Sequence, residues 1–298
     1  MNKVIVRIRG GLGNQLFGYA FGRKISIETK SILILDGSTS FIKYDKIYKN
    51  FFELDKFKTK FTLANNKYQL HPFEKIKRNL LKCYSFFQNF EDKIYIENFK
   101  FGFDSRFNQM KSKKIRFLDG MWQSEKYFSS IKSLLQNEID LKYPLDLDNR
   151  KILNKIYETN SVSIHIRFFD KIESDQYHNL DKQYYSRSID KILTNVSDPV
   201  FFIFSDNPNK IKNKINTKNI KYYIVDINKK SEDNFKDLIL MKNCKHNIIA
   251  NSTFSWWGAW LNKNENKIVI CPKINIKFDR KVTTWGFDDQ LPIEWIKL

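Results

Sequence analysis

Four stretches of the chain carry side chains whose types and spacing suit chemistry on an anionic ligand. The first reads Ser163-Ile164-His165-Ile166-Arg167-Phe168-Phe169-Asp170-Lys171 and runs off the end of an apolar, strand-like run. Alternation sets His165 and Arg167 on one face of that strand, so both can reach a ligand at its carboxyl end. A guanidinium there suits a phosphate, because its planar fork donates two charge-assisted hydrogen bonds. The same residues also fit a plain ion pair between Arg167 and Asp170, with His165 as a satisfied core side chain. A second stretch, Phe204-Ser205-Asp206-Asn207-Pro208, again closes a strand. Asp206 can accept hydrogen bonds from a base or ribose, although Ser-Asp before a proline at a helix start is first of all a capping arrangement.

The third stretch, Asn251-Ser252-Thr253, lies between an apolar strand and a Trp-rich helix, where backbone N–H groups and hydroxyls make a natural seat for a pyrophosphate. Trp256 and Trp260, four residues apart on one helical face, read as core. The fourth is Arg9-Gly10-Gly11-Leu12-Gly13-Asn14-Gln15, between a strand and a helix. Its glycines let the backbone approach a ligand closely, and the helix start favours an anion or a sugar hydroxyl. A tight turn without a ligand is the alternative. The spacing is neither G-x-G-x-x-G nor a P-loop, so a dinucleotide or P-loop nucleotide site is a poor fit.

Other chemistries lack their residues. Asp146-Leu147-Asp148 stands just before a helix and reads as a cap rather than a metal site. His71, His165, His178 and His246 show no ligand spacing, and no G-x-S-x-G elbow is present. No metal or other cofactor is therefore expected. RNA-binding signatures are missing despite 15% aromatic residues, so nucleic acid is not the expected partner.

Strands and crossover helices must position these turns. Strands are read at Val4–Ile8, Ile32–Leu35, Ile115–Leu118, Val162–Ile166, Val200–Phe204, Tyr222–Val225, Asn247–Ala250 and Ile268–Cys271. Helices are read at Gln15–Thr29, from Ser124 through Leu135, and at Gln183–Ile192, Pro208–Ile215, Asn234–Lys242 and Ser255–Leu261. That alternation is the pattern of parallel sheets flanked by helices. Between Thr39 and Phe117 aromatics and lysines mix without clean periodicity, and no topology is assigned. A Pro-containing break at Lys142–Asp146 divides the chain into two Rossmann-like domains, 1–145 and 146–298, with the last helix able to pack back on the first.

The 298 residues, 42% of them hydrophobic, suffice for two cores, and 52 basic against 33 acidic side chains give +19, which calls for an anionic partner. Cys83, Cys244 and Cys271 are odd in number and widely spaced, which fits a reducing compartment. The opening residues lack a signal peptide's apolar core, and no apolar run of about 18 residues exists. A cytoplasmic protein is expected, with a peripheral contact to an anionic inner membrane left open.

These segments, in this order, resemble the α1,2-fucosyltransferases of glycosyltransferase family 11. Gly10-Gly11-Leu12-Gly13-Asn14-Gln15-Leu16-Phe17 is similar to that family's opening, Trp122-Gln123-Ser124-Glu125-Lys126-Tyr127-Phe128 to its mid-chain segment, and Cys244 through Trp257 is the most specific match. The likeness runs from Val4 to about Pro272, and Thr39–Lys113 carries little of it. The resemblance implies an α/β fold of GT-B type, two Rossmann-like domains facing across a cleft, with 1–145 on the acceptor side and 146–298 binding the GDP-sugar. It implies metal-independent, inverting transfer of fucose from GDP-β-L-fucose to the 2-hydroxyl of a terminal β-galactose, on an oligosaccharide or lipid-linked glycan in bacterial O-antigen synthesis. His165, Arg167 and Lys171 would then hold the nucleotide, Asp206 the guanine, and Asn251, Ser252 and Thr253 the pyrophosphate. Asp170, Glu173 and Asp175 are the candidate bases, and Gly11, Gly13, Asn14 and Gln15 would line the acceptor side. The chain departs from the family at Phe169, commonly a glycine. The rival readings are another GDP-sugar as donor and a basic module for polyanions or nucleic acid.

Overall fold

The computed structural model describes residues 1–41, 50–99, 102–169, 179–273, 276–278, 282–287 and 289–298. The chain divides into two units, Met1–Ile139 with Phe287–Gln290, and Asp140–Gly286 with Leu291–Leu298.

The first unit is built on strands β1 (Lys3–Arg7), β2 (Ile32–Asp36), β3 (Thr62–Leu63), β4 (Tyr95–Asn98) and β5 (Ile115–Gly120). They pair in the order β3-β2-β1-β5-β4, all parallel. Val4, Ile5 and Val6 are buried without alternation, as expected of a strand covered on both faces. Helix α1 (Leu12–Glu28) covers one face and is buried almost all round. Gly22 permits that approach: a Cβ there would stand 2.5 Å from Val6 Cγ2 and 2.9 Å from Leu33 Cδ1.

Three differences from the sequence reading stand out. Helix α1 begins at Leu12 rather than Gln15, so Gly13 and Asn14 belong to its first turn. The stretch left unassigned holds β3, β4 and helix α2 (Glu74–Phe86). The single helix expected from Ser124 is broken into two 3-10 turns, Glu125–Tyr127 and Ser129–Ile131, before α3 (Lys132–Glu138), because Phe128 at φ −148° cannot continue a helix.

The second unit contains α4 (Leu147–Glu158), β6 (Asn160–Ile166), α5 (Lys182–Asn195), β7 (Pro199–Ser205), β8 (Lys221–Val225), α6 (Asn234–Asn243), β9 (His246–Ile248), α7 (Thr253–Leu261) and β10 (Val269–Cys271). A hairpin of β11 (Ile276–Phe278) and β12 (Val282–Trp285) and a last strand β13 (Ile296–Lys297) follow. The sheet order is β13-β10-β9-β6-β7-β8, again parallel throughout. Asp146 caps α4, its carboxylate accepting from Asn149 N at 3.0 Å, as the D-x-D reading anticipated. The helix expected at Pro208–Ile215 is a 3-10 turn, Pro208–Asn213. Helix α7 packs closely on α6, where a Cβ on Gly258 would lie 3.1 Å from Met241 Cβ. Trp256, Trp257 and Trp260 are fully buried, Trp256 stacked on Trp260 at 5.8 Å, so the packing assignment of that pair holds.

In each sheet the first strand is central and later strands are added on both sides. Strand order reverses between β1 and β5 and between β6 and β9, and such crevices are where open α/β sheets hold ligands. Replacing Gly22 by Leu should lower stability by about 1–3 kcal/mol through overpacking against β1. Thermal melts would show it, and an unchanged midpoint would refute the close approach of α1.

Candidate active site

The register of the second sheet fixes three polar turns in one row. Ile164 of β6 pairs with Ile203 of β7 and with Ile248 of β9. Arg167, Asp206 and Asn251 are each the third residue beyond those partners, so the strands deliver them at the same height on adjacent carboxyl ends.

Arg167 pairs with Asp206, Nη1 to Oδ2 at 2.9 Å, and its guanidinium lies 5.6 Å from the Phe169 ring centroid. The other Asp206 oxygen accepts from Phe168 N at 2.9 Å. This corrects the capping reading of Asp206: its carboxylate holds the β6 loop, while Asn207, at the head of the next turn, makes no side-chain cap bond. Phe169, at the family's glycine position, donates its N–H to Asn179 Oδ1 at 3.0 Å. Asp170, Lys171, Glu173 and Asp175 lie outside the described residues.

His165 is buried, its ring 5.6 Å from that of Phe254 at the start of α7. Burial, and then the charge of Arg167, push its pKa down to about 3, so the ring is neutral in ordinary buffers. Its Nδ1 is buried with no hydrogen-bond partner among the described residues. An orphaned buried nitrogen costs free energy, and a ligand reaching it would remove that cost.

Across the switch point Ser252 caps α7, its Oγ accepting from Phe254 N at 3.4 Å. Ser255 Oγ donates to Ala250 O and Ser252 O at 3.3 and 3.2 Å and closes the turn. Asn251 is buried and Thr253 half-buried at the helix start, where backbone N–H groups and the helix dipole favour an anion.

Sequence reasoning missed the supports. Adjacent tyrosines of α5 pin the two strand ends: Tyr185 OH donates to His165 O at 3.2 Å, and Tyr184 OH to Ile249 O at 2.7 Å. Burial pushes both phenols up, so they remain donors. Lys210 and Lys214 Nζ stand 6.0 and 5.8 Å from the Phe168 ring centroid, adding positive charge beside the β6 loop. Only their spacing after Asp206 could have suggested them.

In the first unit Gly10 adopts φ +70°, which favours glycine, and Gly11 is the residue before α1. Asn14 Oδ1 accepts from Gln123 Nε2 at 2.9 Å, joining the loops after β1 and β5 at that sheet's switch point. Gln15 is fully buried. Its amide donates to Gly10 O at 2.9 Å and Phe51 O at 2.5 Å and accepts from Glu53 N at 3.0 Å, so it braces the loop from within. Behind the loop Asp119, buried, accepts from Tyr95 OH at 3.0 Å and Arg7 Nη1 at 3.2 Å and pairs with Arg9. Among the described residues no three His, Cys, Asp or Glu side chains gather to hold a metal, and no helix is long and apolar enough to cross a membrane.

Two units, each built on a wholly parallel sheet, are the parts of a GT-B-type fold, and a guanidinium–carboxylate pair and a capped helix start gather at the switch point of the second. The family model described as Glycosyl transferase family 11 matches residues 3–298. The chain belongs to that family. It is 32% identical to an alpha-1,2-colitosyltransferase of Escherichia coli over 100% of this chain and 99% of the relative. It is also 32% identical to the Escherichia coli O-antigen biosynthesis glycosyltransferase WbnK, over 89% of this chain and 92% of that protein. A solved structure, a mutant of Arabidopsis thaliana FUT1 in complex with GDP, shares the fold at TM-score 0.54 and 10% identity, covering 94% of this chain and 71% of that one.

The His165 geometry makes a prediction about acid. The unfolded histidine binds a proton below its ordinary value of 6.5, and the folded one only near 3. Between those values the unfolded state holds more protons, so the contribution to stability is complete above the upper value and is lost as pH falls toward the lower. The slope reaches about 1.4 kcal/mol per pH unit. His165→Gln should therefore lose less stability than the parent over that window. Urea midpoints measured through it would check this, and parallel curves would contradict the neutral burial of His165.

Proposed function

We propose that this protein transfers a fucose-like deoxy sugar from its GDP conjugate to the 2-hydroxyl of a terminal β-galactose, in the assembly of a bacterial O-antigen or related surface glycan. The observation that carries the reading is Arg167, held by Asp206 beside the start of α7 where the second sheet's strand order reverses. GDP in the FUT1 complex, and the O-antigen role printed for the relative WbnK, support it.

In this reading the diphosphate lies between Arg167 and the Asn251–Thr253 turn, with Lys171 on the same anion. His165 Nδ1 reaches the nucleoside, and Asp206, besides fixing Arg167, lies within range of the base. The acceptor oxygen attacks the anomeric carbon as the bond to the β-phosphate oxygen breaks, inverting the configuration, and GDP departs with the electron pair. The acceptor's proton passes to a carboxylate, for which Asp170, Glu173 and Asp175 are the candidates. Charge developing on the departing diphosphate is met by fixed donors, so the reaction proceeds without a metal. Gly11, Gly13 and Asn14 serve the sugar side. The protein works in the cytoplasm.

The donor sugar separates two readings. Fucose follows from the family resemblance, whereas colitose, which lacks fucose's 3-hydroxyl, is favoured by the full-length similarity to the colitosyltransferase. Incubating galactosides with each GDP-sugar in EDTA, followed by linkage analysis, decides between them. An α1,2 product from one donor is expected, and GDP-mannose transfer or EDTA-sensitive activity would sink the proposal. Arg167→Ala should lower kcat by about 10²–10³, the usual cost of one transition-state donor. Arg167→Lys should also be poor, since the fork is lost. Because Asp206 acts partly through Arg167, Asp206→Ala added to Arg167→Ala should cost less than it does alone, which a double-mutant cycle in kcat would read.

A further inference from the structure

We infer that Gln123 completes, with Asn14, a seat for a hydroxyl of the acceptor sugar, and so helps to select the acceptor. The inference rests on the acceptor class proposed above. Gln123 follows β5 in a turn that its neighbours impose. Trp122 adopts φ +52°, uncommon for a bulky residue, and Ser124 N donates to Trp122 O at 2.9 Å across Gln123. The cause lies in the core, where the Trp122 ring is buried, stacked on Phe21 at 4.2 Å and edge-on to Phe107 at 5.1 Å. Strain of this kind persists only where the surroundings over-determine it, and it concentrates at ligand sites. Here it delivers one amide to another.

Gln123 Nε2 donates to Asn14 Oδ1 at 2.9 Å, between the loops after β1 and β5 where the strand order of the first sheet reverses. Gln123 is only 7% exposed, yet its Oε1 is buried with no hydrogen-bond partner among the described residues. An orphaned acceptor of this kind calls for a donor. Asn14 is half-buried and forms the open side of the pair, its Nδ2 lying where a Cβ on Gly10 would come within 2.8 Å. One bond between two amides leaves a further donor on one and an acceptor on the other, and exchanging O and N in both leaves the same inventory. A sugar's hydroxyls, each donor and acceptor at once, can use both. A diphosphate is an acceptor only and would leave the carbonyl oxygen unpaired. The start of α1 does not invite it either, because the Glu53 carboxylate already accepts from Leu12 N. The seat therefore takes a neutral polyol.

Ligand-observed NMR titrations with methyl β-galactoside and its 3-, 4- and 6-deoxy analogues, with GDP present, test the inference. The parent should bind one deoxy analogue about tenfold more weakly than the galactoside, the usual worth of one buried neutral hydrogen bond. Gln123→Met keeps the length of the side chain without its acceptor oxygen, and should bind that analogue and the galactoside alike while GDP affinity stays at the parent value. In the parent, the side-chain amide resonance of Gln123, assigned by its absence from the spectrum of Gln123→Glu, should move with the galactoside and not with that analogue. This second reading stands even where Gln123→Met fails to fold. Binding is read without transfer, so a wrong donor or linkage above would show in the transfer assays and not here. A parent that binds no galactoside, or binds all four sugars alike, would overturn the inference. So would discrimination that survives Gln123→Met, an amide resonance that the galactoside leaves in place, or a loss of GDP affinity instead of galactoside affinity.

Discussion

The register of one strand governs the candidate site. Because β6 is central, its pairing with β7 on one side and β9 on the other settles which side chains emerge together at the carboxyl edge. A slip of one residue would turn His165 and Arg167 to the opposite face of the sheet. The apolar side chains of β6, β7 and β9 make that slip costly: Val162, Ile164, Ile166, Phe201, Ile203 and Ile248 belong to one buried cluster. The hydrophobic core is thus what places the polar chemistry, and the two tyrosines of α5 refine it by tying down the carbonyls of His165 and Ile249.

The electrostatics follow from that placement. Arg167 and Asp206 each keep about a quarter of the side chain exposed, 27% and 28%. A pair so placed adds little to folding, yet it fixes a guanidinium that remains open to a ligand. His165, one alternation back along the strand, lies deeper and is neutral. Charge at the rim and a neutral polar atom in the depth suit a ligand with a phosphate at one end and an uncharged base or sugar at the other.

Much of this was legible because parallel strands and their turns announce themselves locally. The five strands read in the second half are all present, and the helix over Lys182–Asn195 was expected from its periodicity. What was not legible depends on tertiary choice. Asp170 was the ion-pair partner the sequence suggested for Arg167, and Asp206 a cap; the β6–β7 register is what brings Asp206 to the guanidinium. Gln15 looked like a ligand residue because it is polar and adjoins glycines, but the carbonyls of Gly10 and Phe51 required a buried donor, and Gln15 supplies it. Helix α2 escaped detection because its acid and arginine face inward, which defeats the rule that apolar residues mark the buried side. The interruption after Ser124 was hidden because Phe128, at φ −148°, adopts a conformation that its residue type does not advertise.

The two sheets repeat one topological plan, and the difference in what stands at their switch points argues for a division of labour. In the first unit the edge is already neutralised from within: Glu74, Glu97 and the buried Asp119 answer Arg7, Arg9 and Arg78, and all three guanidinium groups reach Asp119. An incoming diphosphate would have to displace that buried acid, or stand beside it and be repelled. The glycine loop ahead of α1 offers close approach and an amide at Asn14, which suits a neutral sugar hydroxyl better than a doubly charged group. In the second unit the acid opposite Arg167 is partly exposed, a capped helix start adjoins it, and lysines stand beside the loop. That contrast supports seating the nucleotide on the second sheet and leaving the first to the uncharged partner of the reaction.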